Sequence, residues 1–367
     1  MRKLRIQLFA VTVVLIAIGI IMVYSASAIY AYEYLKDSAY FLKRHLIYLL
    51  LGIITSLWIM SVDYDVIKKY IKPVLIMSFI LLILVLIPGI GREIAGARRW
   101  FRFSIFSFQP SQVLKLALIL YIADVLSRKQ SEIRSFFHGF LPPMIILGLS
   151  VALILLQPDL GTAVAIAAVV YMMLFIAGIR LFHLVPLLVS SLPILGVIIL
   201  AKPYRMKRIL AFLNPWEDPQ GIGFQIIQSY IALGSGGFFG VGLGQSRQKL
   251  FYLPGAHTDF IFSIIGEELG LIGTASIAIL FMIFIWLGVR IAVRSRDLFG
   301  HLAALGIVLM IGLEAMINIG VATGSIPTKG LPLPFISYGG SSLIFDIMGV
   351  ALLLNIAKHS ERSRLKT

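Results

Sequence analysis

The chain has no cysteine, which excludes disulfides, iron–sulfur clusters and thiol catalysis and leaves the redox compartment undecided. Charge is scarce: 13% of the 367 residues are Asp, Glu, Lys or Arg, against 59% hydrophobic, and the mean hydropathy is +0.96. A soluble domain cannot hide that much apolar surface. Acids are the scarcer sign, 17 against 32 Lys and Arg, for a net charge of +15. In a soluble protein such an excess would suggest nucleic acid. In so apolar a chain it suits basic residues anchoring helix ends against anionic lipid, so membrane lipid rather than nucleic acid is the expected partner.

What the chain does have is long uncharged runs, such as Leu8 to Ile29 and Pro73 to Gly91, each matching the hydrocarbon core of a bilayer. The first is too long for a cleavable signal and more runs follow it. The pattern predicts an all-α polytopic membrane protein forming one integral-membrane domain over 1–367. About ten transmembrane helices are expected, near 8–30, 45–62, 72–89, 110–127, 141–157, 160–178, 183–201, 260–289, 301–323 and 340–357. Arg2, Lys3 and Arg5 at one end and Lys358, Arg362, Arg364 and Lys366 at the other, with Lys68, Lys69, Arg128, Lys129, Arg134, Arg294 and Arg296 in short loops, place both termini in the cytoplasm by the positive-inside rule.

The opposite side then holds two basic loops. One contains Arg92, Arg98, Arg99 and Arg102 against Glu93. The other, a large extracytoplasmic loop over 202–258, contains Lys202, Arg205, Lys207, Arg208, Arg247 and Lys249 against Glu217 and Asp218. Binding an anionic group such as a pyrophosphate would account for them. Within the long loop Ile226, Ile227, Tyr230 and Ile231 fall at helical spacing, as in a helix lying in the membrane interface. Gly234 to Gly244 is glycine-rich but lacks the Lys-Ser/Thr ending of a nucleotide loop, and reads as a flexible turn.

Ionisable residues in the apolar runs are costly and few: Lys115, Asp124, Glu267, Glu268, Glu314 and Asp346. Asp124 has Arg128 four residues on, an ion-pair spacing. Asp159, after Gln157-Pro158, suits a helix cap. Glu314 and Asn318, one turn apart, fit either interhelical glue or a cavity. Asp259 stands at the mouth of the eighth run. From position it is a helix cap; functionally it could be a general base at a water–lipid boundary. Glu267 and Glu268 lie deeper in that run. One of them is expected to line a water-filled cavity continuous with Asp259; the alternative is an ion pair with Lys115 or Lys329.

Several motifs are specific: Gly96-Ala97-Arg98-Arg99-Trp100, Gln109-Pro110-Ser111 with Lys115, Gln157-Pro158-Asp159-Leu160-Gly161-Thr162, Ser246-Arg247-Gln248-Lys249, His257-Thr258-Asp259-Phe260 with Gly266-Glu267-Glu268-Leu269-Gly270, and Pro327 to Ser342. Through these the whole chain resembles the SEDS family (shape, elongation, division and sporulation), with Thr328-Lys329 resembling its division branch. Two positions depart from the family pattern: Gln112 and Gly255 stand where it often has Glu.

The resemblance implies a peptidoglycan glycosyltransferase that polymerises lipid II at the outer face of the bacterial cytoplasmic membrane, for septal wall synthesis. Its implied partners are a class B penicillin-binding protein transpeptidase and other division proteins. It implies Asp259 as the catalytic residue. Arg98, Arg99, Arg247, Lys249, Lys329 and Ser337 are the expected substrate-binding residues, and Lys115, His257, Thr258, Glu267 and Glu268 the supporting ones. An α-linked undecaprenyl-pyrophosphate donor and a β-1,4 product make the reaction inverting, with a base on the acceptor hydroxyl and stabilisation of the leaving pyrophosphate. A divalent cation such as Mg or Mn is the cofactor this chemistry leaves open, with no ligands assigned. A lipid II flippase and a non-catalytic division scaffold are the competing classes. A flippase would concentrate polar residues along a path through the bilayer, and a scaffold gives no reason for the basic outer loops.

Overall fold

A computed structural model describes residues 1–94, 96–102, 106–250 and 252–365. Among these residues twelve α-helices carry the fold: α1 (Arg2–Leu35), α2 (Tyr40–Ser61), α3 (Tyr64–Leu84), α4 (Pro110–Arg128), α5 (Leu141–Leu156), α6 (Leu160–Ile176), α7 (Leu181–Leu200), α8 (Pro203–Leu213), α9 (Phe224–Gly236), α10 (Ile261–Val293), α11 (Leu298–Ala322) and α12 (Ser341–Leu365). Helices stand at each of the expected spans. Among the described residues eight are long and apolar enough to cross a membrane. The two others differ for visible reasons: α6 has only 17 residues, and α3 carries Lys68, Lys69 and Lys72 in its first half. The chain is an all-α polytopic membrane protein.

Helices α4, α11 and α12 form the centre and are largely buried, while α7 is exposed and faces outward along nearly its whole length. Local chemistry sets the helix starts around the site. Pro110 opens α4, where its missing N–H is no loss. Asp159 caps α6 by accepting from Thr162 N at 3.1 Å. Between α3 and α4 a small antiparallel sheet forms from β1 (Arg92–Ile94), β2 (Ala97–Arg102) and β3 (Ser107–Phe108), in the order β1-β2-β3.

The glycine-rich segment is ordered by a break in α10. Gly270 has φ +67 and ψ −163, which interrupts the helix about 14 Å along its axis from Ile261. The interruption frees backbone groups that cannot be left unpaired in an apolar layer. The segment after α9 supplies their partners. Val241 N donates to Glu267 O (2.9 Å) and Gly242 N to Glu268 O (3.1 Å), while Leu271 N donates to Gly237 O (2.8 Å) and Ile272 N to Phe238 O (3.2 Å). The approach is so close that a Cβ on Gly240 would lie 2.1 Å from Glu268 O. Helix α9 runs beside the first half of α10, Ser229 Oγ meeting Ser263 Oγ at 2.6 Å. The stretch that reads as a flexible turn is therefore a backbone patch hydrogen-bonded over the α10 break, with most of its side chains exposed.

Candidate active site

Asp259 is presented by a tight turn. The carbonyl of Gly255 accepts from Thr258 N (3.0 Å) and Phe260 N (3.1 Å), and Gly255 has φ +76. That conformation favours glycine over the glutamate often found in the family. The loop between α11 and α12 fixes the turn from the other side. Ser337 Oγ donates to Thr258 O (2.6 Å), Tyr338 N to His257 O (3.0 Å), and Asn318 Nδ2 to both Asp259 O (2.9 Å) and Leu331 O (2.8 Å). Gly330 leaves space at the carboxylate, since a Cβ there would be 3.2 Å from Asp259 Oδ2. The N-cap of α10 is Phe260, and no side chain caps that helix end. Asp259 is thus not the cap that its position suggests. Burial pushes its pKa up to about 6, with Arg208 opposing the shift.

The Asp259 carboxylate opens on a cavity of about 710 Å³. Its wall is built by α1 (Tyr30, Tyr34), α2 (Tyr40, Phe41, Arg44, Tyr48), β2 (Arg99, Trp100), α4 with its cap (Gln109, Gln112), α6 with its cap (Asp159, Thr162) and the α11–α12 loop (Gly330 to Pro332, Tyr338 to Gly340). Aromatic rings with a few convergent polar groups are the usual make-up of a ligand site. Arg44 lies over the Tyr40 ring, its guanidinium carbon 4.7 Å from the centroid. The sequence motifs did not single it out; it shows only once α2 is folded against the loops.

Of the expected site residues the cavity wall takes Arg99, Thr258 and Asp259. Arg99 is heavily engaged: Nε donates to Gln157 O (2.7 Å), Nη2 to Pro158 O (2.6 Å), and Nη1 stands 3.7 Å from Asp159 Oδ2. It clamps the sheet over the α5–α6 turn. Arg98 pairs with Glu93 at 3.2 Å outside the cavity, and Arg247 is exposed. Lys249 is buried and pairs with Glu268 (2.7 Å), which also accepts from Ser25 Oγ (2.7 Å). Lys329 is half-buried in the α11–α12 loop, and burial lowers its pKa. Ser337 Oγ also accepts from Leu333 N (2.8 Å), so its hydroxyl holds two loops together. The His257 ring packs on Phe41, centroids 4.5 Å apart, and burial pushes its pKa down to about 4. Lys115 forms a buried pair with Glu314 behind the cavity, beside Asp346.

The expectation for Glu267 and Glu268 is corrected. Neither lines the cavity that holds Asp259. Glu267 accepts from Ser246 Oγ, Arg247 N (2.8 Å) and Gln248 N (3.3 Å), and Glu268 pairs with Lys249 instead of Lys115 or Lys329. Both carboxylates organise the loop that covers the α10 break. Among the described residues no group of three or more His, Asp or Glu side chains converges. The oxygens of Asp159 are turned to Thr162 and Arg99. The described residues thus offer no cage for a divalent cation made of protein side chains alone.

Residues 5–362 match the FtsW/RodA/SpoVE family of cell cycle proteins. The chain is 48% identical over 345 residues to a probable peptidoglycan glycosyltransferase FtsW of Geobacter sp. (strain M18), covering 94% of each. It is 49% identical over 353 residues to stage V sporulation protein E of Bacillus subtilis (strain 168), covering 96% of each. Among solved structures it is similar to a chain of a peptidoglycan synthase complex that coordinates polymerisation and crosslinking. The TM-score there is 0.80 at 32% identity, over 96% of this chain and 97% of that one. Thermus thermophilus RodA aligns with TM-score 0.71 at 28% identity, over 96% and 95%.

Proposed function

The chain belongs to the FtsW/RodA/SpoVE family of cell cycle proteins, and we propose that it is a peptidoglycan glycosyltransferase that joins lipid II units into β-1,4 glycan strands during division. The observation that carries the reading is Asp259: a carboxylate at the head of α10 that caps nothing, opens on a large aromatic-lined cavity, and is drawn by burial to a pKa of about 6. A base of that strength is matched to taking a proton from a sugar hydroxyl near neutral pH. The acceptor hydroxyl gives its proton to Asp259 as its oxygen attacks the anomeric carbon of the donor from the face opposite the pyrophosphate. The anomeric carbon–oxygen bond breaks, the lipid pyrophosphate leaves with the electron pair, and the configuration inverts.

The remaining residues divide between contact and support. Arg44 and Thr258 line the cavity as contacts, and Arg99 holds the α5–α6 turn against the sheet. Lys249, Glu267, Glu268 and Ser337 hold the loops that present Asp259. Arg98, Arg247 and Lys329 stand on the surrounding loops, outside the cavity wall. The site belongs to the outer face of the cytoplasmic membrane, with both termini cytoplasmic and segment 202–258 outside in a single membrane domain. The relative of known structure that acts within a synthase complex supports a penicillin-binding protein transpeptidase as partner.

A flippase would need polar groups free along a path through the bundle. Here Lys115 and Glu314 bind each other beside Asp346, the Asn318 amide nitrogen is tied to two backbone carbonyls, and the basic residues gather in the loops instead. The test is direct. Purified protein, with and without a cognate transpeptidase, is given labelled lipid II, and the products are resolved by length. Glycan chains support the reading; their absence in both conditions overturns it.

A further inference from the structure

Three ionisable side chains meet among the central helices. Lys115 of α4 and Glu314 of α11 bind each other, and Asp346 of α12 lies beside them. The three are 5%, 4% and 7% exposed. Lys115 and Glu314 are the charged groups that act on Asp346. One ammonium against two carboxylates leaves one negative charge unmatched. Among the described residues no donor is hydrogen-bonded to the Asp346 carboxylate, and its one charged partner of opposite sign is already bound to Glu314. An unpaired carboxylate is costly inside an apolar bundle, and one found there holds a proton or a cation.

A second observation points to a ligand there. Gln112, Lys115 and Asp346 line a pocket of about 20 Å³ whose remaining wall is apolar, built by α4, α11 and α12. That is room for one water-sized guest. Gln112 is 5% exposed, and its buried Oε1 has no hydrogen-bond partner. The carbonyl oxygen of Gln112 and the carboxylate of Asp346 are both acceptors, so a guest that satisfies the two must bring positive charge or a proton. A water molecule would satisfy the carbonyl but not the charge. One unmatched negative charge calls for a single positive one, and a divalent ion would leave an excess beside Lys115.

We propose that this pocket binds one monovalent cation, a sodium ion or a proton, between the Asp346 carboxylate and Gln112 Oε1, while Lys115 stays on Glu314. The occupant joins α4 to α12 at a point about 8 Å along α12 from its start at Ser341. Gln112 also lines the Asp259 cavity, so the occupant fixes one side chain of that wall as well. The site stands on its own geometry and does not depend on the glycosyltransferase reading.

The experiment uses the full-length protein in detergent, in a buffer free of alkali metal to which sodium chloride or choline chloride is added. Thermal unfolding is followed for wild type, Asp346→Asn and Gln112→Leu. Asparagine keeps the side-chain shape, removes the unmatched charge and offers Gln112 Oε1 an amide donor, so Asp346→Asn should fold without any cation. In the sodium arm, at about pH 8, sodium should raise the wild-type melting temperature by about 2 °C or more over choline. It should leave Asp346→Asn unmoved and act on Gln112→Leu only at several-fold higher concentration. In the proton arm, without sodium, wild type should keep pace with Asp346→Asn at about pH 5 and fall behind it towards about pH 9, since a bound proton stabilises only while it is bound. Asp259 titrates in both proteins and cancels in that comparison. Either response identifies the cation and supports the site. A gap between wild type and Asp346→Asn that neither sodium nor pH changes overturns the proposal, and so does sodium stabilisation that persists in Asp346→Asn. Melting alone reads both arms, so a protein that never polymerises can still keep this site, and one that polymerises can still lack it.

Discussion

Lys249 Nζ stands 2.7 Å from Glu268 Oε1 in a pair hidden from solvent, the two side chains being 3% and 0% exposed. The pair ties the long loop to α10, and Ser25 of α1 joins it. A buried pair of this kind adds little against an apolar substitute, but breaking one half strands the other charge. Lys249→Met should therefore destabilise the protein by about 3–5 kcal/mol, and Lys249→Met with Glu268→Leu should recover most of that loss. Melting temperature in detergent reads both. A single variant as stable as wild type would remove Lys249 from its structural role.

The glycine segment has its own paired test. Gly240 has φ +79 and no room for a Cβ against Glu268 O, whereas a Cβ at Gly234, inside α9, meets nothing within 4 Å. Gly240→Ala should lower stability by about 2 kcal/mol or more, through clash and left-handed strain together. Gly234→Ala should be neutral or stabilise by up to about 1 kcal/mol through helix propensity. Equal melting temperatures for the two variants would contradict the packing of this segment against the α10 break.

Sequence patterns exposed what depends on local spacing. The uncharged runs marked the helices, the Gln157-Pro158-Asp159 turn marked the cap of α6, and Asp124 marked its pair with Arg128. They failed where partners are distant in the chain. Glu268 is satisfied by Ser25, 243 residues away, and no periodicity encodes that contact. The glycine segment looked flexible because its partners are backbone atoms of a helix broken at Gly270, and a break of that kind leaves no apolar signature. Arg44 stands beside Lys43 at the start of an apolar helix, where a basic residue reads as an interface anchor, and only the folded cavity gives it a purpose.

Arg44 and Arg98 should differ sharply. Arg44 faces the cavity, whereas Arg98 is in a solvent-exposed pair with Glu93. Arg44→Ala should lower lipid II turnover by about tenfold or more, chiefly through KM, as expected when an anion contact is lost. Arg98→Ala should stay within about twofold, because an exposed ion pair contributes little. Steady-state kinetics on the two variants decide between them. The opposite ranking would place the anion contact on the outer loop.

The pKa of Asp259 fixes a pH profile. With a folded value of about 6 against an ordinary 3.8, the base is ionised only above about pH 6, so the rate should climb through that range and level off. Stability follows the opposite course. The folded protein binds this proton more tightly than the unfolded chain, so the contribution is complete below about pH 4 and is lost as pH rises through about 6. At pH 7 the ionised carboxylate costs up to about 3 kcal/mol, by 1.36 kcal/mol per unit. Asp259→Asn should therefore melt higher than wild type at pH 7 and no higher at pH 4. A lower melting temperature for Asp259→Asn at pH 7 would contradict the burial of an ionised group there.

The most direct measurement is lipid II polymerisation by Asp259→Asn in a preparation shown by its melting temperature to be folded. Asparagine keeps the shape and the hydrogen-bonding capacity of the side chain but cannot take up the acceptor proton. No glycan chains, with an intact fold, is the predicted result. Chains formed at the wild-type rate would show that Asp259 is not the base and would contradict the account.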